Sequence, residues 1–514
     1  MRGQRRWAGC EHGASDSLLP RPLGAVQPCD AGVELFELSG GERPVPTRSG
    51  QTARLDGDES VIGRGELIEL GESHTQKWAV GAPIRNSDVE SVGSAPLESR
   101  TAGLSGRRWS VGTEGAQIGV GGAGGRRAGE KGTVCYVGET VGYGVIGSGM
   151  MGGEHILDLN HVDGAQVVAL ADPVATSIDW GLGCVGAGPD GEVAKERTAV
   201  YADHRDLLAD PNVDVVIITT PNHTHAAVLA DALATDKHVL IEKPLCTTVD
   251  DAKRVEDAAA RRDAITWMGL QYRFMPTPAT MLEQLASGVC GATRMVSIRE
   301  HRYPFLTKVG NWNRFSRNTG GTLVEKCCHF FDLMHLAAGA KPVRVMASGG
   351  QDVNHLDEEY EIDGRMERPD ILDNAFVIVE FANGVRGALD LSMFAEGGRF
   401  EQEITITGDA AKLEATVPGD VVYLGERSAA GGPGSHPGSG VRELPAPMDP
   451  RVPYPDFHQG ASFMEHLALA DAIRNGEPAS VTVTEGLWAV ATGAAAHRSI
   501  DERRPVELSE FGLS

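Results

Sequence analysis

Two kinds of hydrophobic rhythm occupy the chain, and its opening stretch has neither. From about residue 143, short continuous apolar runs recur: Tyr143-Gly144-Val145-Ile146, Ala165 to Ala171, Val213 to Thr219 and His238-Val239-Leu240-Ile241. Runs of this length without polar alternation predict parallel strands covered on both faces. Segments of helical period lie between them. Residues 224–235 place Ala226, Ala227, Leu229, Ala230 and Leu233 at helical spacing. Residues 249–261 begin with Asp250 and Asp251 and close on arginines, the charge order a helix dipole favours. Strand and helix in alternation predict a doubly wound α/β sheet of the Rossmann type over residues 139–271.

The rhythm changes near residue 272. Residues 374–381 and 385–391 are alternating apolar runs joined by Asn383-Gly384, and residues 403–407 and 412–415 are joined through Gly408-Asp409. Such turn dipeptides between apolar runs predict hairpins. Residues 431–440 read as a mobile glycine-rich loop, and helices resume at 463–475 and 484–499. Residues 272–514 therefore predict a second α/β domain with a largely antiparallel, open sheet. Residues 1–138 keep no period and are rich in Gly, Ser, Arg and Pro, with a linker-like run at 119–127. They read as a low-order extension. The basic start Met1–Arg6 admits an organellar targeting role, or an error in the gene model.

Composition narrows the partners. Hydrophobic residues make up 41% of the 514, enough for a full core, yet no run of about 18 apolar residues exists to span a membrane. The net charge is −24, and residues 1–130 are nearly balanced (15 basic, 17 acidic), so the acidity belongs to the remainder. That surface repels phosphate backbones and anionic lipid, which excludes nucleic acid and membrane as first partners. Eight cysteines at 10, 29, 135, 184, 246, 290, 327 and 328 form no C-x-x-C pair. They suit a reducing, cytoplasmic setting, with Cys327-Cys328 as adjacent buried thiols.

Candidate chemistry clusters at predicted strand ends. Gly147-Ser148-Gly149-Met150-Met151-Gly152 is a G-x-G-x-x-G turn between a strand and a helix, and Asp172 ends the next strand. The glycines let backbone N–H groups approach a pyrophosphate, and the carboxylate suits the ribose of NAD while repelling the extra phosphate of NADP. Thr220-Pro221-Asn222-His223-Thr224-His225 follows the third run, and Glu242-Lys243-Pro244 the fourth. The His-x-His pair has a metal-ligand and a helix-capping reading, and no metal is expected. Lys243 is either a surface lysine or an ammonium aimed at a substrate hydroxyl. Glu325, His329 and Asp332 stand at i, i+4 and i+7 of a predicted helix. Thr322-x-x-Glu325 also fits a capping box, and His329 also fits a core histidine.

In order and spacing these motifs resemble the Gfo/Idh/MocA oxidoreductases, the glucose–fructose oxidoreductase and inositol dehydrogenase family, over residues 140–510. The resemblance implies a Rossmann domain, a C-terminal α/β domain whose open sheet supports a homo-dimer or homo-tetramer, and oxidation of a sugar, polyol or cyclitol with NAD or NADP. It implies Lys243 as the catalytic lysine and His329 as the acid/base. The family often has Asp where Glu325 stands, and residues 179–196 are longer and richer in glycine than usual. Glu325 or Asp332 is expected to orient His329. Arg273, Asn311, Trp312 and Asp332, with Arg299, are expected around the substrate. The cofactor is expected on Gly147 to Gly152, Asp172, Thr220, Pro221, Asn222, His225, Glu242, Lys243 and Pro244. A rival reading is a non-catalytic nucleotide or sugar sensor on the same fold, which has no need of both Lys243 and His329.

Overall fold

The computed structural model describes residues 140–427, 440–454 and 458–513. The low-order reading of residues 1–138, and the glycine-rich loop save for Gly440, fall outside the described residues. The first sheet has six parallel strands: β1 (Val141–Ile146), β2 (Ala165–Ala171), β3 (Ala199–Tyr201), β4 (Val215–Ile218), β5 (His238–Glu242) and β6 (Thr266–Gly269). Their order is β3-β2-β1-β4-β5-β6. β1 and β4 are buried along their whole length, as continuous apolar runs require. β3 and β6 are three and four residues long, too short for a hydrophobic period to announce them. Helices Met150–Leu159, Ala175–Gly186, His225–Ala232 and Val249–Ala259 connect the strands. Thr248 caps the last of these by accepting the Asp251 N–H at 3.2 Å. The glycine-rich stretch at 179–196 covers the end of Ala175–Gly186, a turn at 187–190 and most of a further helix, Gly191–Arg197.

The second sheet joins β7 (Thr293–His301), β8 (Pro342–Gly350), β11 (Asn374–Phe381), β12 (Arg386–Ser392), β13 (Gln402–Gly408), β14 (Ala411–Val417), β15 (Val421–Glu426), β16 (Val441–Pro445) and β17 (Val506–Glu507). A separate hairpin pairs β9 (Tyr360–Ile362) with β10 (Arg365–Glu367). The order of the large sheet is β16-β15-β14-β13-β7-β12-β11-β8-β17. Of its neighbouring pairs, β7 with β12 is parallel and the others are antiparallel. Both expected hairpins form, and Gly384 takes φ +83° at the tip of the first. Val377, Val379, Leu389, Leu391, Ile404 and Ile406 point into the core. Helices Pro276–Ala286, Cys328–Ala338 and Val483–Glu502 pack on that half of the chain. The alternate positions form an open face carrying Met295, Met346, Phe376 and Ile378.

The last two helices return to the first sheet. Ala461–Asn475 lies against Met150–Leu159, while Val483–Glu502 packs on Val249–Ala259 and on β8 together. One hydrophobic core therefore runs through both sheets.

Candidate active site

The glycine turn separates into two duties. Gly147 takes φ +93°, and a Cβ there would sit 2.8 Å from the Thr220 nitrogen. A Cβ on Gly152 would drive into the Gly147 carbonyl oxygen and lie 3.1 Å from Thr219 Oγ1. Both glycines are required by the protein's own packing. Gly149 is different: a Cβ there meets no protein atom within 4 Å. It opens helix Met150–Leu159 as an N-cap that no side chain fills. Bare backbone at a helix N-terminus, with space in front of it, is a cradle for a phosphate.

Asp172 stands beside this cradle. Its Oδ2 accepts the Ser148 N–H at 2.9 Å and its Oδ1 the Val174 N–H at 2.8 Å, so the glycine loop and the end of β2 are tied together. Across the strand ends, the Thr220–His225 segment is held from within. Thr224 Oγ1 donates to the Pro221 carbonyl at 2.7 Å. The buried His225 ring sets Nδ1 2.8 Å from the Pro244 carbonyl and Nε2 2.9 Å from the Thr220 carbonyl. Burial lowers its pKa. His225 thus braces the two loops against each other rather than standing at their surface. Ser148 Oγ and Asn222 Nδ2 are buried without a hydrogen-bond partner among the described residues.

Glu242 is buried at the end of β5. Its Oε2 accepts the Lys243 N–H at 2.9 Å, and its Oε1 lies 3.1 Å from His155 Nε2. His155 Nδ1 in turn lies 2.8 Å from His466 Nε2. Burial opposes charge on His155 most, but the Glu242 hydrogen bond and charge prevail and raise its pKa. The Lys243 side chain leaves this base and reaches the Glu325 carbonyl, Nζ to O, at 3.3 Å.

The helix expected across Gly320–Asp332 is broken. Thr322–Glu325 makes one turn, and a separate helix runs Cys328–Ala338. The capping box does not form, because Thr322 Oγ1 donates to the Leu372 carbonyl at 2.6 Å and Gly321 is the N-cap. Glu325 is therefore free of capping duty. Its carboxyl is buried, with Oε2 unpartnered, and burial raises its pKa against the pull of Lys243 and Lys308. His329 lies in the first turn of the second helix, 2% exposed, with its ring stacked on Tyr272 at 4.2 Å and 8°. Burial, then the charges of Lys243 and Lys326, hold its pKa well below 6.5. A neutral imidazole is thus presented beside an ammonium.

Comparison with known proteins accords with this geometry. Residues 141–270 match the model of the oxidoreductase family's NAD-binding Rossmann fold, and residues 282–508 that of its C-terminal alpha/beta domain. The chain belongs to the Gfo/Idh/MocA oxidoreductase family. Myo-inositol 2-dehydrogenase of Thermotoga maritima is 28% identical over 71% of this chain and 98% of its own. The scyllo-inositol 2-dehydrogenase (NAD(+)) of Bacillus subtilis is 24% identical over 71% of this chain and 95% of its own. Among solved structures, levoglucosan dehydrogenase in complex with NADH and levoglucosan superposes with a TM-score of 0.60 at 19% identity, over 72% of this chain and all of that one, which shows a shared fold.

As a Gfo/Idh/MocA oxidoreductase the chain is an NAD-dependent enzyme, and its residues fit that cofactor. The Gly149 cradle, the orphaned Ser148 hydroxyl and Asn222 amide, and the Asp172 carboxylate all lie at strand ends of the first sheet. Not every expected site residue serves an open cleft. Arg273 and Asp332 meet each other, Nε to Oδ2 at 2.7 Å, and Glu485 adds a contact at 2.9 Å. This buried pair consumes both partners, and Asp332 has no bond to His329. Arg299 pairs with Glu403 across β7 and β13 on the open sheet face. Asn311, at φ +53°, and Trp312 lie on the segment Val309–Arg314, where the Trp312 ring stands 6.2 Å from that of His223. Among the described residues no three His, Cys, Asp or Glu side chains are grouped to hold a metal.

Several site residues carry no motif. Tyr272 stacks on His329 and receives Gln402 Nε2 at 3.1 Å through its hydroxyl. His497, in the last long helix, accepts the Leu323 N–H at 3.0 Å. Lys326 pairs with buried Glu300 at 2.9 Å, and Arg302 lies 3.6 Å from the same carboxylate. Arg302 lines a cavity of about 310 Å³ with His301, Tyr303, Arg399 and Phe400. Lys308 lies near enough to Glu325 and Lys243 for their charges to act on it. Only the positions of Tyr272 and Arg273, directly after the β6 strand end, offered a signal of proximity.

Proposed function

We propose that this chain oxidises a secondary hydroxyl of a cyclitol or sugar, with Lys243 and His329 acting on the same oxygen. The reading is carried by one juxtaposition: the Lys243 ammonium, the Glu325 segment and the neutral His329 ring meet at the edge of the sheet that holds the Gly149 cradle. NAD, when bound, supplies the hydride acceptor. The chain's own residues handle the proton and the charge. His329 Nδ1 is sealed from solvent without a partner, which leaves Nε2 as the nitrogen a hydroxyl can reach. Being neutral at physiological pH, that nitrogen accepts the hydroxyl proton. Lys243 Nζ donates to the oxygen and favours its alkoxide character as the C–H bond weakens. Glu325 lies within reach of the Lys243 charge, and burial makes its carboxyl hold a proton more readily than a surface carboxyl. Tyr272 fixes the plane of the imidazole by stacking.

The names of the inositol and levoglucosan dehydrogenases support this substrate class. The test is NAD reduction by myo-inositol, scyllo-inositol, levoglucosan and free hexoses, followed at the nicotinamide absorbance band. Absence of reduction across the panel, with NADH still bound, refutes the reading. The exposed Phe376, Ile378, Met295 and Met346 on the open sheet support a homo-oligomer formed over that face. The five cysteines among the described residues are buried and free, which supports a cytoplasmic setting.

A further inference from the structure

A buried chain of polar side chains ends on the backbone of Lys243, and the chemistry described above makes no use of it. Lys243 is the first residue beyond β5, and its N–H donates to Glu242 Oε2 at 2.9 Å. A carboxylate curled back onto the following peptide keeps that pose only while its second oxygen is also held. Glu242 Oε1 lies 3.1 Å from His155 Nε2, and His155 Nδ1 lies 2.8 Å from His466 Nε2. With both ring nitrogens engaged, the His155 imidazole has one orientation. His155 and His466 are fully buried, and Glu242 is 4% exposed. A buried pair of this kind adds little net stability over apolar packing, because desolvation offsets the attraction. What it fixes is direction.

The helix that supplies His155 also forms the cradle. Met150–Leu159 has Gly149 as its N-cap, and His155 follows six positions later, about 9 Å along the axis at the helical rise. The same helix is tied to Ala461–Asn475, the helix of His466: Glu154 Oε1 accepts from Ser462 Oγ at 2.9 Å and lies 2.9 Å from His458 Nδ1. On the far side of Lys243, the Pro244 carbonyl lies 2.8 Å from His225 Nδ1. Resting on the reading of Lys243 in the proposed reaction, we infer that His155 is a positioning residue for Lys243: it holds Glu242 against the Lys243 N–H, and so fixes the ammonium relative to the helix that seats the cofactor phosphates. Hydride transfer needs that register, because cofactor and substrate oxygen are held at different strand ends and must still meet in one geometry. His155, sealed from solvent, acts through Glu242.

The test is a double-mutant cycle on the full chain, with kcat measured at saturating NAD and the best substrate of the inositol, levoglucosan and hexose panel. His155→Leu should lower kcat about 10- to 100-fold, the cost of a misplaced reacting group, while NADH affinity by calorimetry moves less than about threefold. In a Lys243→Ala background the same substitution should cost little further, because the group it positions is gone. Equal losses in both backgrounds would make His155 a packing residue and overturn the inference. A loss of NADH affinity with kcat unmoved would make it a support of the cradle alone and overturns it too. Should His155→Leu fail to fold, His155→Gln and His155→Asn keep a polar side chain. The Gln amide stands near the place of Nε2 and should keep most of kcat, whereas the Asn amide stands near Nδ1, misses Glu242 and should not. Equal activity in the two overturns the inference. If no substrate of the panel reduces NAD, the substrate reading fails, and amide hydrogen exchange still decides the positioning. The Lys243 N–H, followed by Pro244 with no N–H of its own, should exchange severalfold faster in His155→Leu or His155→Asn than in the wild type, with Leu240 and Ile241 unchanged. Unchanged exchange at Lys243 overturns the inference.

Discussion

Substituting alanine at two glycines of one turn should separate folding from cofactor binding. In Gly152→Ala the new methyl enters the Gly147 carbonyl oxygen and lies 3.1 Å from both the Gly147 carbonyl carbon and Thr219 Oγ1. Neither neighbour can retreat easily. The Gly147 N–H is bonded to the Ala171 carbonyl at 2.8 Å, and Thr219 Oγ1 donates to the Gly147 carbonyl. Overpacking of this kind costs about 1–3 kcal/mol, a fall in Tm of about 1–4 °C at this chain size. Gly149→Ala should leave Tm within about 1 °C. Its φ −72° is open to any residue, its ψ −157° lies about 20° past the extended range, and its methyl meets no protein atom within 4 Å. That methyl does stand where a pyrophosphate must approach the backbone. The same overpacking range, spent against the ligand, weakens NADH binding about 5- to 150-fold. Scanning fluorimetry reads the first quantity and calorimetry with NADH the second. Unchanged NADH affinity in stable Gly149→Ala would refute the cradle, because the bare space would then face nothing.

Further outcomes follow from other contacts. Asp172→Ser should narrow the preference for NAD over NADP in kcat/KM by tenfold or more, since it removes the repulsive carboxylate while a hydroxyl can still accept from Ser148 N–H. His329→Ala should lower kcat by about 10²–10⁴-fold with NADH affinity little changed; near-normal turnover in a folded, NADH-binding variant returns His329 to a packing role. Asp332→Ala should cost about 1–3 kcal/mol, because Arg273 loses its two bonds to Asp332 but keeps Glu485 at 2.9 Å, seen as a lower denaturation midpoint; a loss of activity with stability intact would instead give Asp332 a substrate role. His497 is held by burial at about 4, so the unfolded chain takes up a proton between pH 6.5 and 4 that the folded chain refuses. Its contribution is complete above pH 6.5 and about 3 kcal/mol is lost by pH 4, a slope that His497→Gln should reduce in pH-dependent unfolding. A chain beginning at Lys131 should keep NAD reduction, because both family matches begin after that residue.

The sequence by itself determined whatever depends on a few consecutive residues. A buried parallel strand, a glycine turn and a following helix are each set by local sterics and hydrogen bonding, so the Gly147–Gly152 turn, Asp172 at a strand end and the Asn383-Gly384 hairpin were legible in order along the chain. The same local logic misplaced the helix that carries Glu325 and Asp332. A capping box and a one-face helix were sound local expectations, but Leu372 takes the Thr322 hydroxyl, the helix breaks after Glu325, and Arg273 takes Asp332. Only the tertiary structure decided these, because the partners are 50 and 59 residues away in sequence. The bracing of Leu323 by His497 spans 174 residues, and the His155–His466 contact under Glu242 spans 311. Lys308 lay in a stretch without period or motif, and only the folded loop sets it 5.7 Å from the Trp312 ring. Periodicity records which face of an element is dry. It does not record which distant side chain arrives to share that face, and in a buried site the arriving charge sets protonation and partner choice.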